Sequence, residues 1–165
     1  MTYPRKTEKQ GVAEAAVVYM AAAASTGSGQ HGYVSLLGLR SFDAASLAKR
    51  IEDGLSYAAF EKLKRRLNVT SRELADVALI NPRTLARRKR SGRFAQDESD
   101  RLVRVARVLS RAIEFNGGDE DAAQVWIKRP IRAFGGLSVL EMAKTEVGAR
   151  EVEKFIHQIE HGVVI

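Results

Sequence analysis

The dipeptide Asn81-Pro82 constrains this chain more than any other feature. Asparagine is a strong helix N-cap, and proline at the first helical position gives up an amide that has no partner there. A helix therefore starts at Pro82, and the element before it must stop. Just upstream, Thr70-Ser71-Arg72-Glu73 forms a capping box. The Thr70 hydroxyl can accept from the Glu73 amide while the Glu73 carboxylate reaches back to the Thr70 amide. Leu74, Val77 and Ala78 give that first helix an apolar face, and it can only be short. The second helix runs from Pro82 to about Ser91, where Gly92 ends it. Two short helices joined by about three residues predict a helix-turn-helix.

The second helix is strongly basic. From Pro82 to Arg93 there are six basic residues, Arg83, Arg87, Arg88, Lys89, Arg90 and Arg93, and no acid. Leu85 is the apolar residue expected to pin this helix to the core. Arg83, Thr84 and Arg87 fall near one face at the helix start, where a recognition helix meets base edges. Ser71 and Arg72, at the start of the first helix, complete the expected DNA-binding set. Charge along the chain agrees with a polyanionic partner for the front only. Residues 1–115 hold 21 basic and 12 acidic groups, a net of +9, whereas residues 116–165 hold 6 and 8, a net of −2. A basic front and a mildly acidic back predict two functions on one chain.

The remaining signals are helical, and an all-α fold is expected because strand patterns are nearly absent. Residues 1–10 read as frayed, 12–24 as a helix and 25–32 as a Gly/Ser loop. Ser41 to Asp53 predicts a short helix stopped by Gly54, and Ser56 caps another with Phe60, Leu63 and Leu67 on one face. Residues 96–115 form the strongest amphipathic helix, with Leu102, Val105, Ala106, Leu109 and Ile113 as its buried stripe. Asp97–Arg101 and Asp100–Arg104 stand at the four-residue spacing of helix ion pairs. In the back third, Asp119 caps a helix over DEDAAQVWIK, and Arg129-Pro130 stops it. Phe134-Gly135-Gly136 is a turn, Ser138 with Glu141 a second capping box, and Thr145 opens a last helix that Gly162 ends. Three regions follow: an N-terminal helical extension over 1–55, offered as part of a dimer contact; a helix-turn-helix with its spine helix over 56–115; and a small helical unit over 116–165.

Several function classes drop out. With no cysteine, there are no disulfides, Cys-ligated metals or thiol nucleophiles. The most apolar run, Val12 to Ala24, is shorter than the ~20 residues of a spanning helix and contains Glu14. The chain reads as cytoplasmic, with no membrane partner. His157 and His161, four apart on one helix face, could share a metal, but the HExxH order is absent, and surface histidines near a helix C-terminus fit better. No nucleotide-binding glycine motif or serine elbow is present. The expectation is a protein that is not an enzyme, with no catalytic residue, metal or cofactor.

The run from Trp126 to Ile165 resembles the toxin-binding domain of the Xre/MbcA/ParS antitoxins. The residues that carry the likeness are Trp126, Pro130, Gly135-Gly136, Thr145-Glu146 with Gly148, and Gly162. Arg83-Thr84-Leu85, Ser99-Asp100-Arg101-Leu102 and Arg104-Val105-Ala106-Arg107 match the helix-turn-helix and spine of the same family. Val139 departs from it, standing where a proline is common. The resemblance implies a type II toxin–antitoxin system with a Cro/Xre-like DNA-binding domain. The partner would be a RES-fold toxin that consumes NAD, its active site blocked by the antitoxin, which would also repress its own promoter as a homodimer or larger complex. Trp126, Ile127, Arg129, Phe134, Gly135, Gly136, His157, His161, Val163, Val164 and Ile165 are the toxin-binding candidates. The alternative is a helix-turn-helix regulator whose back unit binds a ligand or dimerises.

Overall fold

The computed structural model describes residues 32–40 and 44–162. The expected helix at 12–24 and the tail Val163-Val164-Ile165 lie outside these residues. The described chain is all-α: α1 (Gly32–Leu36), α2 (Ala44–Glu52), α3 (Tyr57–Leu67), α4 (Ser71–Val77), α5 (Pro82–Ser91), α6 (Gln96–Phe115), α7 (Glu120–Trp126), a 3-10 turn (Arg132–Phe134), α8 (Val139–Met142) and α9 (Glu146–Glu160).

Local capping chemistry sets most of these boundaries. Ser56, Thr70, Asn81, Asp119, Ser138 and Thr145 each occupy an N-cap and accept a backbone amide three residues on. Thr70–Glu73 and Ser138–Glu141 form reciprocal capping boxes. Some helices are shorter than their periodicity predicts. α7 ends at Trp126 rather than running on to Lys128, and Gly32, assigned to a loop from sequence, begins α1. α2 spans Ala44–Glu52, and residues 41–43 before it lie outside the described residues.

The α6 helix, 20 residues and about 30 Å long, is the spine on which the rest packs. Leu102, Val105, Ala106 and Leu109 are fully buried along it as the stripe predicts, while Ile113 is only half-buried. α1 and α3 pack on one side of it, α9 on another, and α7 lies across α3 and α6. One buried cluster runs without a break from Leu36 through Leu63, Leu74 and Leu109 to Ile127, Val152 and Ile156. The back helices therefore complete their core against α6. Val34, Leu36, Leu37, Leu47 and Leu55 are buried too, and Leu36, Leu37 and Leu55 belong to that same cluster.

The spine also carries a row of arginines. Arg101 donates to the Ala78 carbonyl at 2.7 Å, in the turn between α4 and α5. Arg104 does not pair with Asp100; its guanidinium donates to the Ala143 and Lys144 carbonyls (2.8 and 2.6 Å) at the end of α8. Arg107 reaches Glu146 and Glu153, and Arg111 reaches Glu114 and Glu160. Burial pulls the Arg104 guanidinium pKa down. Burial does the same to Arg107, but bonds to Glu146 and Glu153 outweigh it and leave that group above its usual value. Four charges that count toward the basic front thus act as internal clamps between α6, the helix-turn-helix turn and α9.

The capping carboxylates make stability depend on acid. Backbone amide donation by Thr70 and Ser138 holds Glu73 and Glu141 below the ordinary value of 4.5. Burial pushes Glu146 up, but bonds from Arg107 and Arg150 outweigh it and bring this group below 4.5 as well. A depressed folded pKa contributes stability above the unfolded value, and that stability is lost as pH falls through the folded value. The melting temperature should hold from neutral pH to about 5 and fall steeply below 4.5. A Glu73→Gln/Glu141→Gln double variant should show a shallower fall in thermal melts across that range; an unchanged slope would remove these carboxylates as its cause.

Candidate functional sites

The first site is the α4–α5 pair. α4 ends in a Schellman turn: the Ile80 amide donates to the Ala75 carbonyl (2.7 Å) and the Leu79 amide to the Asp76 carbonyl (3.1 Å). This geometry puts Leu79 in the left-handed region at φ 54°, where glycine is usual. A leucine there costs on the order of 1 kcal/mol. Ile80 is buried behind it, which locks the turn. Asn81 Oδ1 then accepts the Thr84 amide at 2.8 Å and starts α5. An open groove of about 1240 Å³ separates the two helices, lined by Ser71, Arg72, Leu79, Pro82, Leu85 and Lys89 among others.

α5 has no fully buried residue, and Leu85, half-buried against the core, is its apolar anchor. Arg83, Arg87, Lys89 and Arg90 are exposed, as is Arg72 on α4; Ser71 and Thr84 are half-buried. Two of the sequence-predicted contacts have intramolecular partners. Arg88 donates through Nε and Nη2 to the nearly buried carboxylate of Glu98 (2.7 and 3.1 Å), and Glu98 also accepts the Ala95 amide that begins α6. Arg93 donates to the Asp53 and Gly54 carbonyls, both at 3.2 Å. Arg88 and Arg93 thus fasten the far end of α5 to the domain, and the exposed charges are free to meet an anion. No sequence spacing pointed to the Arg88–Glu98 pair, because the two residues belong to different helices.

The second site lies on the back helices. Five large apolar side chains stay exposed among the described residues, and four of them, Val125, Leu137, Val147 and Ile159, fall between α7 and the end of α9. Phe134 is half-buried, edge-on to Phe155 with ring centroids 5.0 Å apart. Gly135 and Gly136 hold positive φ of 66° and 88° and face open space. Arg129, His157 and His161 are exposed. Trp126 is half-buried, its ring 5.0 Å from that of Phe115. Ile127, another sequence-predicted contact, is fully buried and so belongs to the core in this conformation. Sequence reasoning missed Val125, Leu137, Val147 and Ile159, because an apolar residue reads equally well as core until its neighbours are known; Ile159 falls on the apolar face of the last helix.

Among the described residues no helix is long and apolar enough to cross a bilayer. The two surfaces match two separately described domains. Residues 46–107 match the antitoxin Xre-like helix-turn-helix domain, and residues 111–162 match the antitoxin Xre/MbcA/ParS C-terminal toxin-binding domain. The chain is 34% identical over 129 residues to an antitoxin Xre of Photorhabdus laumondii, covering 78% of this chain and 87% of that protein. It is 33% identical over 128 residues to an antitoxin Xre of Yersinia enterocolitica, covering 77% and 86%. An antitoxin Xre of Pseudomonas putida is 35% identical over 114 residues, covering 68% of this chain and 70% of that protein. With an exposed basic helix on one unit and an open apolar surface on the other, this chain belongs to the Xre/MbcA/ParS antitoxin family.

Proposed function

We propose that this antitoxin works in the cytoplasm with two separable activities, repressing its own promoter through α4–α5 and neutralising a RES-domain toxin through the back helices. The observation that supports the reading is that four exposed basic side chains, Arg83, Arg87, Lys89 and Arg90, share α5, whereas four of the five large apolar side chains exposed among the described residues fall between α7 and the end of α9. Val125, Leu137, Val147 and Ile159 form the proposed contact, with Phe134, Gly135-Gly136, Arg129 and half-buried Trp126 beside them. In this type II arrangement the end of α9 and the tail Val163-Val164-Ile165 lie over the toxin's active site and exclude its dinucleotide substrate, NAD.

DNA binding by a short helix-turn-helix calls for two copies, so that two recognition helices reach half-sites about 34–36 Å apart. The repressor is accordingly proposed to be a homodimer, with residues before Gly32 contributing. Deletions that test this must stop before Val34, since the next stretch enters the core.

The deciding experiment truncates the chain after Glu160 and, separately, introduces Leu137→Glu with Val147→Glu. Promoter repression and rescue of cells from the co-expressed toxin are then scored for each. Both variants should repress normally and fail to rescue. Full rescue by both would sink the proposed interface, and loss of both activities would show that the units are not separable.

A further inference from the structure

The end of α9, which the proposed toxin contact also uses, carries a cluster of a second chemical kind. The run His157-Gln158-Ile159-Glu160-His161 places three potential metal donors at positions i, i+3 and i+4 of one helix. Those are the spacings at which helical side chains meet on a common face. One donor atom from each of His157, Glu160 and His161 lies within 4.8 Å of the other two. The imidazole rings are 4.0 Å apart, centroid to centroid. Nitrogen donors around zinc lie ~2.0–2.1 Å from the ion and therefore about 3.3 Å from each other. Both histidines are exposed, so rotation about χ1 and χ2 can bring their donor nitrogens from within 4.8 Å to that separation.

The surroundings already orient two of the donors. His161 Nδ1 is 2.8 Å from the His157 carbonyl, which can only accept, so Nδ1 carries the proton and Nε2 keeps its lone pair for a ligand. Glu160 Oε2 accepts from Arg111 at 3.0 Å, which leaves Oε1 available and fixes the carboxylate plane. Contacts of this outer kind hold metal ligands in position in many proteins. The donor set, two imidazoles and one carboxylate, suits zinc, nickel or copper and not magnesium or calcium, which prefer oxygen.

We infer that His157, Glu160 and His161 form a binding site for one divalent transition-metal ion per chain. Such an ion ties the last turn of α9 across four residues and slows its fraying. Metal binding can be read on the antitoxin alone.

The test uses the full chain without a polyhistidine tag, titrated with zinc chloride at about pH 7.5, where imidazole is mostly neutral. Binding is followed by calorimetry and by competition with a chromophoric chelator. The expected result is one equivalent of zinc per chain, tighter binding of copper, and none of magnesium at millimolar concentration. His157→Asn and His161→Asn should each weaken zinc by at least about tenfold, and Glu160→Gln should weaken it less. His31→Asn should change nothing. Amide exchange at residues 158–161 should slow on saturation with zinc in the parent and not in His157→Asn. The inference is overturned by the absence of saturable binding, by binding that survives both histidine substitutions or disappears with His31, or by half an equivalent per chain, which would mean an ion shared between two copies.

Discussion

Promoter DNA should dissociate from an Arg83→Ala/Arg87→Ala variant while the protein stays folded. Each exposed arginine that contacts a base or phosphate contributes about 1–3 kcal/mol, so the pair should lower affinity roughly a hundredfold or more. Affinity of the parent should fall with salt by about 0.9 log units per neutralised phosphate per log unit of salt, and the double variant should show a smaller slope. Arg88→Ala is the informative comparison. Arg88 is bonded to Glu98 rather than projecting outward, and removing it strands a carboxylate only 5% exposed. That variant should weaken DNA binding by loosening α5, with a lower melting temperature and an unchanged salt slope. Glu98→Gln should behave the same way. A salt-independent affinity, or full binding by the Arg83/Arg87 variant, would remove α5 as the DNA-reading helix. A reduced slope in Arg88→Ala would return Arg88 to the interface.

Gly148→Ala should disable the toxin-binding unit. Gly148 sits in the first turn of α9, where alanine would ordinarily improve a helix by about 1 kcal/mol. Here a Cβ would stand 2.1 Å from the Met142 carbonyl oxygen and 2.9 Å from its carbon, atoms of the backbone at the end of α8. No side-chain rotation relieves that overlap, so α9 must shift away from α8 and strain the Arg104 and Arg107 contacts that straddle the junction. Overpacking of this kind costs about 1–3 kcal/mol beyond any gain in propensity. The melting temperature should drop by roughly 3–10 °C, toxin rescue should be lost, and promoter binding below the transition should persist. A melting temperature equal to or above the parent's would mean that the α8–α9 approach is looser than the structure has it.

The N-caps, both capping boxes of the form Ser/Thr-x-x-Glu and the proline start of α5 were legible because each is a contact between residues three apart or fewer. So was the buried stripe of α6, which the 3.6-residue period places on one face. The basic content of α5 could be read as well, and with it the kind of partner. What could not be read was the destination of each arginine. Arg104 has Asp100 at the right helical spacing, yet it turns to two carbonyls some forty residues ahead. A carbonyl at a helix end is an unsatisfied acceptor partly shielded from water, whereas an exposed aspartate gains little from an ion pair. Arg88 and Arg93 look identical in sequence to Arg87 and Arg90, and only the fold brings Glu98 and the Asp53–Gly54 carbonyls within reach of the first two. Likewise, Ile127 and Val125 are both apolar residues near the end of α7, one buried and one half-exposed, because α3 and α6 pack against only part of that short helix. Local chemistry, complete within a turn or two, therefore determined where the helices begin and that one of them is basic. The tertiary structure decided which charges and which apolar side chains remain for a partner, since that depends on neighbours supplied from distant parts of the chain.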